Sequence, residues 1–147
     1  MLFGKYKHTL DSKKRVIIPS RLRETIGEQT EGLVFYITPG QDKCLYVFPE
    51  AIFNTLTEDV GFGLLVGGKK REAFRKFFSN VARRVCDKQG RIQIPDELID
   101  FAGLKGEVVF VGFKDRIELW DAGIFDELGQ SSLQDFGEVA EKLIGDD

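Results

Sequence analysis

Histidine is almost missing from this chain, with His8 the sole imidazole among 147 residues, and cysteine is limited to Cys44 and Cys86. Two cysteines 42 residues apart, with no Cys-x-x-Cys, support neither a disulfide framework nor a zinc site. Each is read as a small apolar strand residue. A Ser/His/Asp or Cys/His relay would have to use His8, which lies in a basic segment with no nucleophile near it in sequence. Carboxylate pairs such as Asp126 with Glu127 fall on expected helix surfaces, where solvation accounts for them. The expectation is therefore no enzyme, no cofactor, no metal and no small-molecule substrate. Long apolar runs are missing too: none approaches 18 residues, and Met1 to Lys5 lead into polar residues instead of the apolar core of a signal peptide. A cytoplasmic protein without membrane contact is expected. Gly63-x-x-x-x-Gly68-Lys69 has the spacing of a phosphate-binding loop. Lys70, however, stands where a Ser or Thr would hold magnesium, and no apolar strand precedes the first glycine, so a plain linker is the better reading.

What the chain has is repetition. Asp11-Ser12-Lys13-Lys14-Arg15-Val16-Ile17-Ile18-Pro19 returns as Asp87-Lys88-Gln89-Gly90-Arg91-Ile92-Gln93-Ile94-Pro95, and Leu45 to Pro49 with Ile52, Phe53 and Leu56 returns as Ile117 to Asp121 with Ile124, Phe125 and Leu128. A repeated order of elements is far stronger evidence than one motif. The offset is 76 residues for the first pair and 72 for the second, which makes a loop of the first copy about four residues longer. Units of 50 to 60 residues are marginal alone, so the copies should share a core, for which a 42% hydrophobic content with thirteen Phe suffices.

Each copy reads as two short strands around a turn, a helix, two further strands and a second helix. In the first, Lys7 to Leu10 and Arg15 to Ile18 flank a turn, Ser20 caps a helix ended by Gly27, Leu33 to Ile37 and Cys44 to Phe48 are strands, and Pro49 opens a helix. In the second, the strands are Ala82 to Cys86, Arg91 to Ile94, Glu107 to Phe113 and Arg116 to Trp120, with a helix capped by Asp96 and another begun at Asp121. Between the copies a Gly-rich link leads to a basic helix whose Phe74, Phe77, Phe78 and Val81 form a core stripe. Leu133, Phe136, Ala140, Leu143 and Ile144 mark a last amphipathic helix that packs on its own chain. The boundaries drawn are 5–57 and 80–128 for the repeats, 58–79 for the linker and basic helix, and 129–147 for the C-terminal helix.

The net charge of −3 hides its distribution: residues 1–23 carry +6 and residues 69–91 carry +7, against −6 for 24–68 and −10 for 92–147. Both basic segments lead into the repeated Asp-x-x-x-Arg. An aspartate that bonds the amides of its turn fixes the loop, so the arginine that follows projects from a held backbone. Such a guanidinium can meet phosphate, or the O6/N7 edge of guanine, through two hydrogen bonds. The alternative is an internal Asp/Arg salt bridge that merely closes each turn. Lys5, Lys7, Lys13, Lys14, Arg83, Arg84 and Lys88 around the motifs favour nucleic acid.

These residues also carry a likeness. Gly4-x-x-x-x-Thr9-Leu10-Asp11-x-Lys13-x-Arg15, then Asp87 to Arg91 with Ile92, Ile94 and Pro95, Val109-x-Val111-Gly112, and Arg116 to Trp120 resemble the MraZ family, over nearly the whole chain and in the same order. The resemblance implies a mainly β fold with short helices, in which two fused SpoVT-AbrB-like swapped-hairpin units form one pseudo-two-fold β-barrel with a C-terminal helix. It further implies a bacterial transcriptional repressor of the division and cell-wall gene cluster, binding G-rich direct repeats in double-stranded DNA. Ring-shaped homo-oligomers and association with the nucleoid are implied as well. On this chain the DNA-binding role falls to Arg15 and Arg91, with Lys13, Lys14, Lys88, Lys5 and Lys7 as further contacts and Asp11, Asp87 and Gly90 as turn supports. Two places depart from the family pattern: Lys14 stands where glycine is usual, as at Gly90, and Arg83-Arg84 replaces a more acidic approach. A protein-interaction module that sequesters a partner through its C-terminal helix is the competing reading, which a free hydrophobic tail would support.

Overall fold

The computed structural model describes residues 1–58, 67–130 and 132–145, so the first six residues of the Gly-rich link lie outside the described residues. The first copy contributes β1 (Leu2–Thr9), β2 (Arg15–Ile17), α1 (Ser20–Ile26), β3 (Val34–Pro39), a short 3-10 turn at Gln41–Lys43, β4 (Leu45–Pro49) and α2 (Glu50–Thr57). After α3 (Gly68–Phe78), the second gives β5 (Ala82–Val85), β6 (Arg91–Gln93), α4 (Asp96–Ala102), β7 (Glu107–Lys114), β8 (Ile117–Asp121) and α5 (Ala122–Glu127), and α6 (Phe136–Ile144) follows. The protein is mainly β with short helices, and its order of elements repeats.

Prolines make the strand-to-helix transitions. Pro19 and Pro95 lie at φ −51° and −62° and cap α1 and α4, and their carbonyls accept the first helical bonds, from Leu22 and Arg23 and from Leu98 and Ile99. Ser20 and Asp96, expected as caps, are instead the first helical residues and make no capping bond. Asp121 does cap α5, with its carboxylate accepting from the Ile124 amide at 3.2 Å and the Lys105 amide at 3.3 Å. β1 starts at Leu2, well before the expected Lys7, because it runs beside β7 for its whole length, from Leu2 opposite Lys114 to Thr9 opposite Glu107. The close approach needs Gly112: a Cβ there would lie 2.3 Å from the Phe3 amide nitrogen.

The copies are interlocked. Each copy's first strand pairs with the other's third, β1 with β7 and β5 with β3, while the second strands β2 and β6 pair with one another. The result is an antiparallel six-stranded sheet in the order β1-β7-β8-β4-β3-β5, plus the separate β2–β6 ribbon. The expected closed barrel is not formed. β2 and β6, three residues each, leave the main sheet at the two Asp turns and stack across it, so β1 and β5 remain its edges. The extra length of the first copy is split between two places. The α1–β3 loop spans residues 27–33 against 103–106 in the second copy, and the β3–β4 connection is one residue longer than its counterpart, as the pairing of Pro39 with Leu45 against Gly112 with Ile117 requires.

One core serves both copies. Val16 and Ile92 from the ribbon, Leu22 and Leu98 from α1 and α4, and Phe35, Ile37, Val108 and Phe110 from the sheet are buried together. Each such side chain contributes on the order of 1.5–3 kcal/mol. A smaller cluster of Cys44, Val109, Trp120 and Phe125 covers the other face of the sheet. Both thiols are buried and free, and burial pushes Cys44 up to about 12 and Cys86 up to about 11, so neither is reactive near neutrality. The stripe of α3 departs from expectation. Phe77 and Phe78 are exposed, and with Phe48, Phe53 and Leu56 they line an open apolar cavity of about 340 Å³. The helix of 11 residues carries too many cations around its circumference to sink further.

Candidate nucleic-acid interface

The two Asp-x-x-x-Arg turns have the same geometry. In the first, Asp11 Oδ1 accepts from the Lys13 amide at 2.9 Å and the Arg15 amide at 2.8 Å, and Oδ2 accepts from Arg15 Nε at 2.8 Å. In the second, Asp87 Oδ1 accepts from Gln89 and Arg91 amides, both at 2.9 Å, and Oδ2 from Arg91 Nε at 2.7 Å. Backbone bonds close each loop: Asp11 donates to the Arg15 carbonyl at 2.9 Å and Asp87 to that of Arg91 at 3.1 Å. Each turn is then joined to the other copy's strand, because Ile94 donates to the Lys14 carbonyl and Ile18 to the Gly90 carbonyl, both at 2.8 Å.

The salt bridge that sequence reasoning set against a recognition role is therefore present in both copies, and it uses only Nε. A carboxylate on Nε orients the guanidinium and leaves the two terminal nitrogens as a planar fork. The arginines are half-buried, with side-chain exposures of 28% and 27%.

Ribbon register decides what surrounds them. Arg15 lies opposite Gln93, Val16 opposite Ile92 and Ile17 opposite Arg91. Val16 and Ile92 point into the core, which puts Arg15, Ile17, Arg91 and Gln93 together on the outer face. The turns flank the ribbon at its two ends. Lys13 and Lys88 are exposed at the turn tips. Lys14 Nζ is paired with the carboxylate of Asp96 at the start of α4. Lys5 and Lys7 are placed differently: they lie opposite Val111 and Val109, on the sheet face away from the core side that holds Val108 and Phe110, and hence away from the ribbon. Arg84 backs the ribbon through Nε to the Gln93 carbonyl at 3.1 Å, and Arg83 is 3.9 Å from Glu50.

Three residues of this region escaped sequence reasoning. Ile17 and Gln93 share the outer face; the period of two, counted on from each arginine, marks them. Arg23 reaches from α1 across the second turn, donating to the Ile18 carbonyl at 2.7 Å and to Thr30 Oγ1 at 2.6 Å while covering Gly90. Gly90 adopts φ +84°, and Lys14, at the same turn position of the first copy, adopts φ +63°. Lysine in that left-handed conformation is strained by about 1–2 kcal/mol, whereas glycine is at home there. Lys14→Gly should therefore keep or slightly raise the melting temperature, since the exposed pair with Asp96 contributes at most about 1 kcal/mol. If Lys14 also touches a phosphate, the salt slope of DNA binding should fall by about 0.9 per site. An unchanged slope would assign Lys14 to Asp96 alone.

The turn aspartates titrate low. For Asp11 the main cause is the bond from the Arg15 amide; burial opposes it, and the Arg15 side chain and the Lys13 amide add to the lowering. For Asp87 burial pushes upward, and the bonds from the Arg91 amide, its side chain and the Gln89 amide together outweigh it. His8 is also held low, by burial and then by the charge of Arg23, and stands edge-on to Phe110 at 5.8 Å. All three groups stabilise the fold more as pH rises. The His8 contribution is complete above about pH 6.5, and those of the aspartates above about pH 4, each being lost as pH falls through the lower folded value. A melting-temperature profile should be flat from pH 8 to about 6.5, decline gently, then drop below pH 4. His8→Gln should remove the first decline only.

Comparison with known proteins places the chain among regulators of transcription. The chain is 38% identical to the transcriptional regulator MraZ of Finegoldia magna over 97% of its length and 96% of that protein's. It is 36% identical to that of Carboxydothermus hydrogenoformans, over 98% and 97%, and 38% identical to that of Clostridium acetobutylicum, over 97% and 96%. The family model described as "MraZ protein, putative antitoxin-like" matches residues 1–61 and 72–147. The chain belongs to the MraZ family, and its function is that of a transcriptional regulator, not an enzyme. The solution structure of PHS018 from Pyrococcus horikoshii is a distant likeness, with a TM-score of 0.36, 18% identity, and coverage of 81% of this chain and 88% of that one.

Proposed function

We propose that this protein regulates transcription by binding double-stranded DNA in a sequence-specific way, with the outer face of the β2–β6 ribbon laid in the major groove. The observation that carries this reading is the pair of arginines on the outer face of the two-stranded ribbon, each held through Nε by Asp11 or Asp87 with its terminal nitrogens unbonded among the described residues, in a ribbon of the kind that groove admits. Arginine paired with guanine O6/N7 is the commonest specific base contact, which favours G-rich sites. Lys13 and Lys88 at the turn tips suit phosphate contacts, and Lys14 does where DNA displaces Asp96. Family membership supports the finer reading: repression of the division and cell-wall gene cluster from short direct repeats, by a nucleoid-associated cytoplasmic protein. Among the described residues no helix is long and apolar enough to cross a membrane. A gel shift on DNA upstream of the protein's own gene, run from low to moderate salt against a scrambled duplex, tests this. A shift that falls steeply with salt and prefers the native duplex is expected; equal affinity for both duplexes would remove sequence-specific binding.

One observation bears on partners. Phe136, Leu143 and Ile144 of α6 and the preceding Leu133 are exposed, at 57%, 81%, 85% and 77%. Among the described residues this stripe is thus left largely uncovered, since the sheet and ribbon already close their core without it. The free apolar tail is the feature expected of a partner-binding module. A second copy is the occupant we favour: each copy leaves two sheet edges and this stripe to be covered, and an acidic subunit gains DNA affinity by presenting many ribbons at once. Light scattering at micromolar concentration should give a closed homo-oligomer, a ring on the family reading, with Leu143→Asp shifting it to smaller species. A stable wild-type monomer would remove the multivalent account and restore sequestration of another protein.

A further inference from the structure

The two halves of the ribbon are not alike. Counted on from the arginine, the same position holds Ile17 in the first copy and Gln93 in the second, and register sets Arg15 beside Gln93 and Arg91 beside Ile17. Residues directly opposite in an antiparallel pair have Cβ atoms about 4.5–5.5 Å apart, close to the roughly 3.4 Å rise between neighbouring bases once side-chain reach is added. Both side chains are exposed, Ile17 at 38%, although isoleucine on an outer strand face gains nothing from water. Gln93 engages Arg84 through its backbone carbonyl, so its carboxamide is free to turn outward. Glutamine pairs with adenine through N6 and N7, whereas an apolar side chain meets the thymine methyl.

We infer that Ile17 and Gln93 are specificity-determining residues: the Arg15/Gln93 half reads guanine next to adenine, and the Arg91/Ile17 half reads guanine next to thymine. This rests on the proposed reading of DNA by the ribbon. It adds that a unit built by repetition takes a site with direction. Two equal halves would favour an inverted repeat within each contact, whereas unequal halves give every subunit the same orientation, which direct repeats demand.

The test is selection of bound duplexes from a library with a randomised block, followed by sequencing, for the wild-type protein and for Gln93→Glu, Gln93→Ile and Ile17→Gln. Gln93→Glu keeps the shape and so the fold, and glutamate accepts from cytosine N4. The wild type should enrich guanines with adenine beside one and thymine beside another, each preference worth roughly 5–150-fold. Gln93→Glu should convert the adenine to cytosine, Gln93→Ile should convert it to thymine, and Ile17→Gln should convert the thymine to adenine, all with the guanines retained. Guanine enrichment with the same flanking bases in every variant would overturn the inference and leave DNA reading intact. No enrichment by the wild type would remove both.

Discussion

Arg15→Ala should abolish sequence-specific DNA binding while the circular dichroism spectrum, melting temperature and oligomer size stay close to wild type. The reason lies in how little of the turn depends on the side chain. Asp11 still accepts from the Lys13 and Arg15 amides at 2.9 and 2.8 Å, and the backbone bond between Asp11 and Arg15 at 2.9 Å does not involve the guanidinium. What disappears is an ion pair on a substantially exposed carboxylate, of small worth in water, and a two-bond fork worth roughly 1–3 kcal/mol per guanine. Arg91→Ala should act in the same direction and by a similar factor, since its turn has matching geometry. Lysine separates the two roles. Its single ammonium can satisfy Asp11 or reach a base, and it lacks the planar fork for doing both, so Arg15→Lys should keep salt-sensitive non-specific binding and lose discrimination. Titration of native and scrambled duplexes against each variant, with melting in parallel, decides the matter. A marked loss of stability with discrimination preserved would make Arg15 a structural residue only.

Most of this site was legible because it is built locally and twice. Asp-x-x-x-Arg needs only its own five residues to tie itself, so an isolated sequence states the turn, and repetition states that two exist. What stayed hidden depends on pairing between distant segments. That β2 joins β6, and not a strand of its own copy, follows from no local pattern, yet it alone brings Arg15, Ile17, Arg91 and Gln93 onto one face. The same ignorance of pairing grouped Lys5 and Lys7 with the turns, when register with Val111 and Val109 turns them to the other face of the sheet. Barrel closure was expected from family likeness, whereas strand order shows an open sheet with the ribbon laid across it. The Phe stripe of α3 and the apolar stripe of α6 were read as self-packed because periodicity reports amphipathicity and not its partner.

Gly90→Ala should be the most damaging single-atom change within the two Asp-x-x-x-Arg turns. At φ +84° any L-residue is strained by about 1–2 kcal/mol, and a Cβ would lie 2.7 Å from Arg23 Nε and 2.8 Å from its Cζ. Arg23 cannot swing aside freely, because Nε is bonded to the Ile18 carbonyl at 2.7 Å and Nη1 to Thr30 at 2.6 Å. Either those bonds break or the turn moves, and a moved turn carries with it the Gly90 carbonyl that holds Ile18 and the backbone from which Arg91 projects. Strain alone should lower the melting temperature by several degrees, at about 2–4 °C per kcal/mol for a chain of this size, and DNA discrimination should fall with it. The first copy supplies the control: Lys14 occupies the same turn position at φ +63° and is exposed where Gly90 is buried, so the turn accepts a side chain where space allows. Gly90→Ala combined with Arg23→Ala should therefore cost less than the two single changes added together, leaving the backbone strain but not the collision. Additive losses, or a Gly90→Ala protein that melts and binds as wild type does, would show that Arg23 does not clamp this turn.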